Sequence, residues 1–138
     1  ETISHFKNTA DEKNISLEYE NKSGELFFST DETAFTEILE NLISNAIKYS
    51  EKNKSVYIIL SGNTEKFKIQ IIDSGLGIKE EEQNKVFKKF AKISNKPTAG
   101  ENSTGLGLSI VKKLTEMLNG NISFKSVYGS GTTFTLEF

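Results

Sequence analysis

The 138-residue sequence contains no cysteine, which excludes disulfide scaffolds, cysteine zinc sites, iron–sulfur ligation and thiol nucleophiles together. Its one histidine, His5, removes most of what remains. Catalytic zinc usually takes more than one imidazole, and a serine–histidine–carboxylate triad would have to draw on a residue next to the chain start. A single proline beside ten glycines, with 36% hydrophobic and 26% charged residues, is the composition of one globular domain. The longest apolar run is Val56 to Leu60, far short of the roughly 20 residues that span a bilayer, and the start has no signal-peptide pattern. The 17 basic and 19 acidic residues leave a net charge of −2 and are mixed along the chain, so nucleic acid is not the expected partner. Because the chain begins at Glu1 without a methionine, it is expected to belong to a longer protein.

Residues Thr2 to Asn14 are polar and weakly helical, and the alternation Ile15, Leu17, Tyr19 predicts a half-buried strand. A turn at Asn21 to Gly24 leads to a second predicted strand carrying Leu26 and Phe28. Ser29 with Glu32 fits a capping box opening a helix striped by Phe35, Ile38, Leu39, Leu42 and Ala46. Val56, Ile58 and Leu60, then Phe67, Ile69 and Ile71, predict a hairpin running into Asp73. Glu80 to Phe90 reads as a short amphipathic helix, and Ala91 to Thr104 as an aperiodic loop of a length often kept for lids or binding. Leu106, Ile110, Leu114 and Leu118 recur at helical spacing until Asn119-Gly120, and two strands around Tyr128 to Gly131 finish the chain. The expected architecture is a mixed sheet covered by helices on one face.

Three constellations carry chemistry. On the first helix, Asn41, Asn45 and Lys48 fall within about 60° of one another beside the apolar stripe. The plain alternative is a polar flank with back-bonded asparagines, but an asparagine carbonyl also suits Mg²⁺, and a lysine one turn away suits phosphate. Asp73-Ser-Gly75-Leu-Gly77-Ile78 ends an apolar strand with a carboxylate able to accept from an exocyclic amine; taken alone it reads first as a turn. Ser103-Thr104-Gly105-Leu106-Gly107-Leu108 passes from the loop into a helix start, where outward N–H donors favour an anion, phosphate above all. A Walker loop is absent, since no Gly-Lys pair occurs, and GxGxxG would need glycine at Ile110.

In order, Asn41-Leu-Ile-Ser-Asn45-Ala-Ile-Lys48-Tyr49, Asp73-x-Gly75-x-Gly77, Phe87-x-x-Phe90 and Gly105-Leu-Gly107-Leu108 closely resemble the N, G1, F and G2 boxes of sensor histidine kinases. The resemblance spans about residues 15–138 and is to the catalytic, ATP-binding domain of that family, in the GHKL superfamily with gyrase, Hsp90 and MutL. It implies an α/β sandwich, the Bergerat ATP-binding fold, with a mixed, largely antiparallel sheet. Residues 1–14 would end the connection from a missing dimerisation domain, and residues 91–104 would form the ATP lid.

The resemblance also implies roles. Asp73 would accept the adenine amino group, with Gly75 and Gly77 giving the base room and Ile78 beside them. Asn45 would ligate Mg²⁺, Asn41 and Lys48 would support the phosphates, and Tyr49 would line the nucleotide. Thr104, Gly105, Leu106, Gly107 and Leu108 would cradle the phosphates, and Lys92, where many relatives carry arginine, would reach the terminal one. Phe87 and Phe90 would anchor the lid by packing. Ser103 stands where the G2 box often begins with glycine, and the Gly129 to Thr133 stretch resembles the last glycine box without deciding whether Thr132 or Thr133 faces adenine. His5 has neither the acidic neighbour nor the proline of the phosphoacceptor. The implied activity is transfer of the γ-phosphoryl of Mg-ATP to a histidine on the dimerisation domain, then to a response regulator. The setting would be cytoplasmic, or the cytoplasmic part of a membrane-bound sensor, without direct membrane contact by this domain. The competing classes are a GHKL serine kinase of the anti-sigma type, an ATPase, and a non-catalytic nucleotide-binding module.

Overall fold

The computed structural model describes every residue except Lys92 and residues 102–104. The elements run α1 (Thr2–Glu12), β1 (Ser16–Asn21), α2 (Glu32–Tyr49), β2 (Ser55–Gly62), β3 (Phe67–Asp73), a 3₁₀ turn (Glu80–Lys85), α3 (Gly107–Met117), β4 (Asn121–Val127) and β5 (Gly131–Glu137). They form one five-stranded sheet in the order β1-β2-β3-β5-β4. Among the described residues only β1 and β2 pair in parallel; the other three pairings are antiparallel, two of them the expected hairpins. The sheet is thus mixed and largely antiparallel, as expected.

Strand periodicity decides which side chains reach the core. On β3, Phe67, Ile69, Ile71 and Asp73 are buried, while Lys68, Gln70 and Ile72 alternate outward. On β5 the inner set is Thr132, Phe134 and Leu136. Against this face lie α2, through Ile38, Leu42, Ile43, Ala46 and Ile47, and α3, through Val111. The helices pack on each other, and α1 docks on α2, with Ala10 wholly buried.

Four local expectations differ from the structure. Residues 26–30 form no strand: Phe28 instead packs edge-on to Phe35 at 5.1 Å between centroids and against Phe67 at 4.5 Å. That aromatic cluster holds the segment by side chains rather than by a backbone ladder. Ser29 lies outside the helix start. Asp31 is the N-cap, its Oδ1 accepting the Ala34 N–H at 2.9 Å. The predicted helix over Glu80–Phe90 is a 3₁₀ turn that stops at Lys85. Val86 is buried, but Phe90 takes a left-handed φ of 54°, so no helix continues through it. The half-buried pattern expected over Ile15, Leu17 and Tyr19 also fades: Ile15, just before the edge strand β1, is 2% exposed, whereas Tyr19 on it is 52% exposed.

The stop after α3 is where Asn119-Gly120 predicts it. Asn119 has φ 60°, its N–H donates to Glu116 O at 3.0 Å, and the Gly120 N–H reaches Thr115 O at 2.9 Å. These two bonds close the last turn as a Schellman motif. Among the described residues no helix is long and apolar enough to cross a membrane.

Candidate nucleotide site

A cavity of about 850 Å³ opens between α2, the end of β3, the start of α3 and the loop after residue 90. Its wall brings the three constellations together: Asn41, Asn45, Lys48 and Tyr49 from α2; Asp73, Gly77 and Ile78 from the β3 exit; Gly105, Leu106, Gly107 and Leu108 from the α3 start. Of the sequence-predicted site residues, Gly75 alone among those described does not line it. Lys92 and Thr104 lie outside the described residues.

Asp73 reaches the site because β3 alternation turns it to the core face, where it is 9% exposed. Its Oδ1 accepts the Gly75 N–H at 2.8 Å. Burial pushes its pKa up from 3.8 to about 6, against the opposing hydrogen bonds from the Gly75 and Thr132 backbone. Among the described residues no cation pairs with it. A buried carboxylate with no cation beside it is costly to keep charged.

The glycines of the G1 stretch serve the chain's own crossings. A Cβ on Gly75 would stand 2.4 Å from the Tyr49 carbonyl oxygen, so β3 can pass the end of α2 only with glycine there. At Gly77, φ is 68° and a Cβ would meet Val127 O at 2.2 Å. Ile78 is pinned beyond it, its N–H donating to Ser126 Oγ at 2.7 Å, while Gln83 Nε2 donates to Ile78 O and Ser126 O. Thr132 faces inward as the ladder partner of Asp73, whereas Thr133 pairs with Ile72 on the outer face. Thr132 therefore lines the cavity, and alternation with Phe134 and Leu136 was the signal that could have chosen it.

At the opposite end, α2 and α3 meet through Gly107. A Cβ there would lie 2.8 Å from Asn41 Oδ1 and 3.9 Å from Asn45 Nδ2. Asn41 Nδ2 donates back to Glu37 O at 2.9 Å, so the back-bonded reading holds for half of its amide while the oxygen turns to Gly107. Leu106, the N-cap of α3, has an apolar side chain that cannot cap, and a helix start turns its first N–H groups outward toward an acceptor. Phe87 anchors its segment edge-on to Phe124 at 5.7 Å and Phe134 at 6.4 Å. Phe90 does not pack as expected: its side chain is 70% exposed, and it is held by its N–H bond to Gly105 O at 3.2 Å.

The loop over the cavity is tied at several points. Ser94 bonds Glu82 through N–H and hydroxyl, Asn95 Nδ2 donates to Gly77 O, and the Thr98 N–H donates to Lys48 O at 3.0 Å. Lys13 Nζ meets Glu101 Oε1 at 2.8 Å, a pair no sequence pattern announced.

A family model described as histidine kinase-, DNA gyrase B- and HSP90-like ATPase matches residues 30–138. The heme sensor protein HssS of Staphylococcus saprophyticus is 36% identical over 136 residues, covering 99% of this chain and 28% of HssS. The chain spans 14%, 5% and 28% of the lengths of three curated relatives. The catalytic domain of histidine kinase ThkA superposes with a TM-score of 0.83 at 28% identity, covering 99% of this chain and 86% of that one. Full-length ShkA, solved in complex with AMPPNP, gives 0.83 at 26% identity over 99% of this chain and 28% of its own. ThkA has also been solved in complex with the response regulator protein TrrA, with a TM-score of 0.77 at 26% identity, over 99% of this chain and 37% of that one. With the match extending over α2, the β3 exit and α3, the chain belongs to the family of histidine kinase-, DNA gyrase B- and HSP90-like ATPases.

Proposed function

We propose that this chain binds Mg-ATP and acts as the catalytic domain of a sensor histidine kinase. In that role it transfers the γ-phosphoryl group to a histidine on a dimerisation domain, for relay to a response regulator. The observation that carries the reading is the polarity of one cavity: at one end a buried Asp73 with no cation paired to it among the described residues, at the other the start of α3. A carboxylate acceptor suits the adenine amine, and helix amides suit phosphate. Asn45, on the wall beside Gly107, is the residue to hold Mg²⁺. Among the described residues no three His, Cys, Asp or Glu gather as an alternative metal site. Bound there, the ion would neutralise phosphate charge; the chain's own part is placement.

Asn41 and Lys48 support the phosphates, Tyr49 and Ile78 line the nucleotide, and Gly105 to Leu108 offer backbone donors. Thr104 and Lys92 extend that phosphate set, Lys92 to the terminal group. Residues 1–14, mostly α1, form the end of the connection to the dimerisation domain. An ATPase of the same family would need a glutamate base where Asn41 stands. The amide of Asn41 takes no proton at neutral pH, and Glu40 lines an outer groove rather than the cavity.

Calorimetry tests the reading. Wild type should bind ATP and reject GTP, whose carbonyl would face Asp73, and Asp73→Ala should weaken ATP at least about tenfold. Equal affinity for the two nucleotides would refute it.

A further inference from the structure

Three segments distant in sequence meet at the C-terminal end of α2. A helix leaves its last carbonyls without intrahelical partners. Here Ala46 O takes the Ser50 N–H, and Ile47 O and Lys48 O each accept from Lys13 Nζ at 2.9 Å. Lys48 O also receives the Thr98 N–H, and Thr98 Oγ1 donates to Ser50 O at 2.7 Å. The third Lys13 bond goes to Glu101 Oε1 at 2.8 Å, while Glu101 Oε2 accepts the Ala99 N–H at 3.0 Å.

Lys13 is only 6% exposed. Burying an ammonium so far is tolerable when all three donors are used and the site lies at the negative end of a helix dipole. Capping α2 needs two of those bonds. The third reaches a segment 88 positions away that carries no core side chain of its own. The Glu101 carboxyl would be pushed up by its partial burial, but its bonds from Lys13 and the backbone outweigh that and hold it below the usual carboxylate range.

We propose that Lys13 is a positioning residue that latches the lid: its ammonium clamps residues 98–101 to the end of α2, so docking of α1 sets how long a bound nucleotide stays. The effect on nucleotide rests on the ATP-binding reading; the attachment of the lid does not. Two of the clamped groups, Ile47 O and Lys48 O, belong to the helix that presents Asn41, Asn45, Lys48 and Tyr49 to the cavity. The α1 position and the lid are thereby joined through one buried charge.

The test uses the 138-residue chain in four forms: wild type, Glu101→Gln, Lys13→Met and the double variant. Hydrogen exchange is read without nucleotide, and stopped flow follows dissociation of a fluorescent ATP analogue. Glu101→Gln should speed exchange at residues 98–101 and analogue dissociation, each about tenfold, as expected for losing a charged hydrogen bond. The α2 amides should stay unchanged in that variant. Lys13→Met should loosen both the lid and the end of α2, and the double variant should add nothing further at the lid. Lid amides unmoved in Glu101→Gln, additive effects of the two changes, or a loosened lid with unaltered dissociation would each overturn the latch. Should Lys13→Met not fold, Glu101→Gln alone decides. If wild type binds no analogue, the ATP reading and with it the nucleotide half of the proposal fall, while the exchange data still decide whether Lys13 holds the lid.

Discussion

Replacing Asp73 by asparagine should make the unliganded protein more stable at neutral pH while crippling the site. The carboxyl titrates at about 6 in the fold against 3.8 unperturbed. At about 1.4 kcal/mol per unit, the folded state carries a penalty of about 3 kcal/mol for holding this charge. The group is nearly excluded from solvent, so little of that is screened away. The sign follows from proton binding. Between pH 3.8 and 6 the native state keeps a proton that the unfolded chain has released, so stability falls as pH rises through that window. Below it the penalty vanishes, and above it the penalty is complete. The substituted amide would keep an oxygen for the Gly75 N–H and would not titrate. Urea unfolding across a range from about pH 3.5 to about pH 8 should therefore show Asp73→Asn gaining on wild type with rising pH, by up to ~3 kcal/mol above about pH 7. Calorimetry near pH 5.5, in buffers of different ionisation enthalpy, should find a proton released when ATP binds wild type, because an amine donor favours the charged carboxylate. A stability difference that stays flat across the window would refute the reasoning.

Gly77→Ala should lose at least ~2 kcal/mol in urea unfolding, since the added methyl meets the Val127 backbone oxygen at 2.2 Å in a left-handed conformation. Gly107→Ala should spare stability, because its close neighbour is the movable Asn41 side chain, yet lower ATP affinity in titration by displacing that oxygen. Asn45→Ala should keep the fold by circular dichroism and abolish phosphorylation of an added dimerisation domain, the metal losing its protein ligand.

Much of this arrangement could be read from the chain because it depends on strict periods. Alternation over Phe67 to Asp73 carries the carboxylate inward, and the 3.6-residue repeat of α2 places both asparagines and Lys48 on one flank. What escaped reading depends on partners remote in sequence. Phe28 looks like a strand residue until Phe35, Phe67 and Phe138 surround it. Ser29 and Asp31 are both good caps by residue type, and the fold uses Asp31. Glu80 to Phe90 has a helical composition, but side-chain bonds from Gln83 to the β4 backbone and the turn at Phe90 end it early. Nothing near Lys13 or Glu101 signals a pair formed across 88 positions.

The pairing of β3 with β5 sets Asp73 opposite Thr132, joining the middle of the chain to its last strand. Both neighbouring hairpins can form from local sequence, but this pairing requires closing a long loop, an entropic cost met only when distant parts of the chain come together. The acceptor end of the cavity therefore exists only in the finished fold. Any ligand that uses it binds the native state alone and stabilises the whole domain by mass action, about 2.7 kcal/mol at a hundred times its dissociation constant. Saturating ligand would thus act on this chain as a folding partner, raising its unfolding midpoint and protecting segments that never touch it.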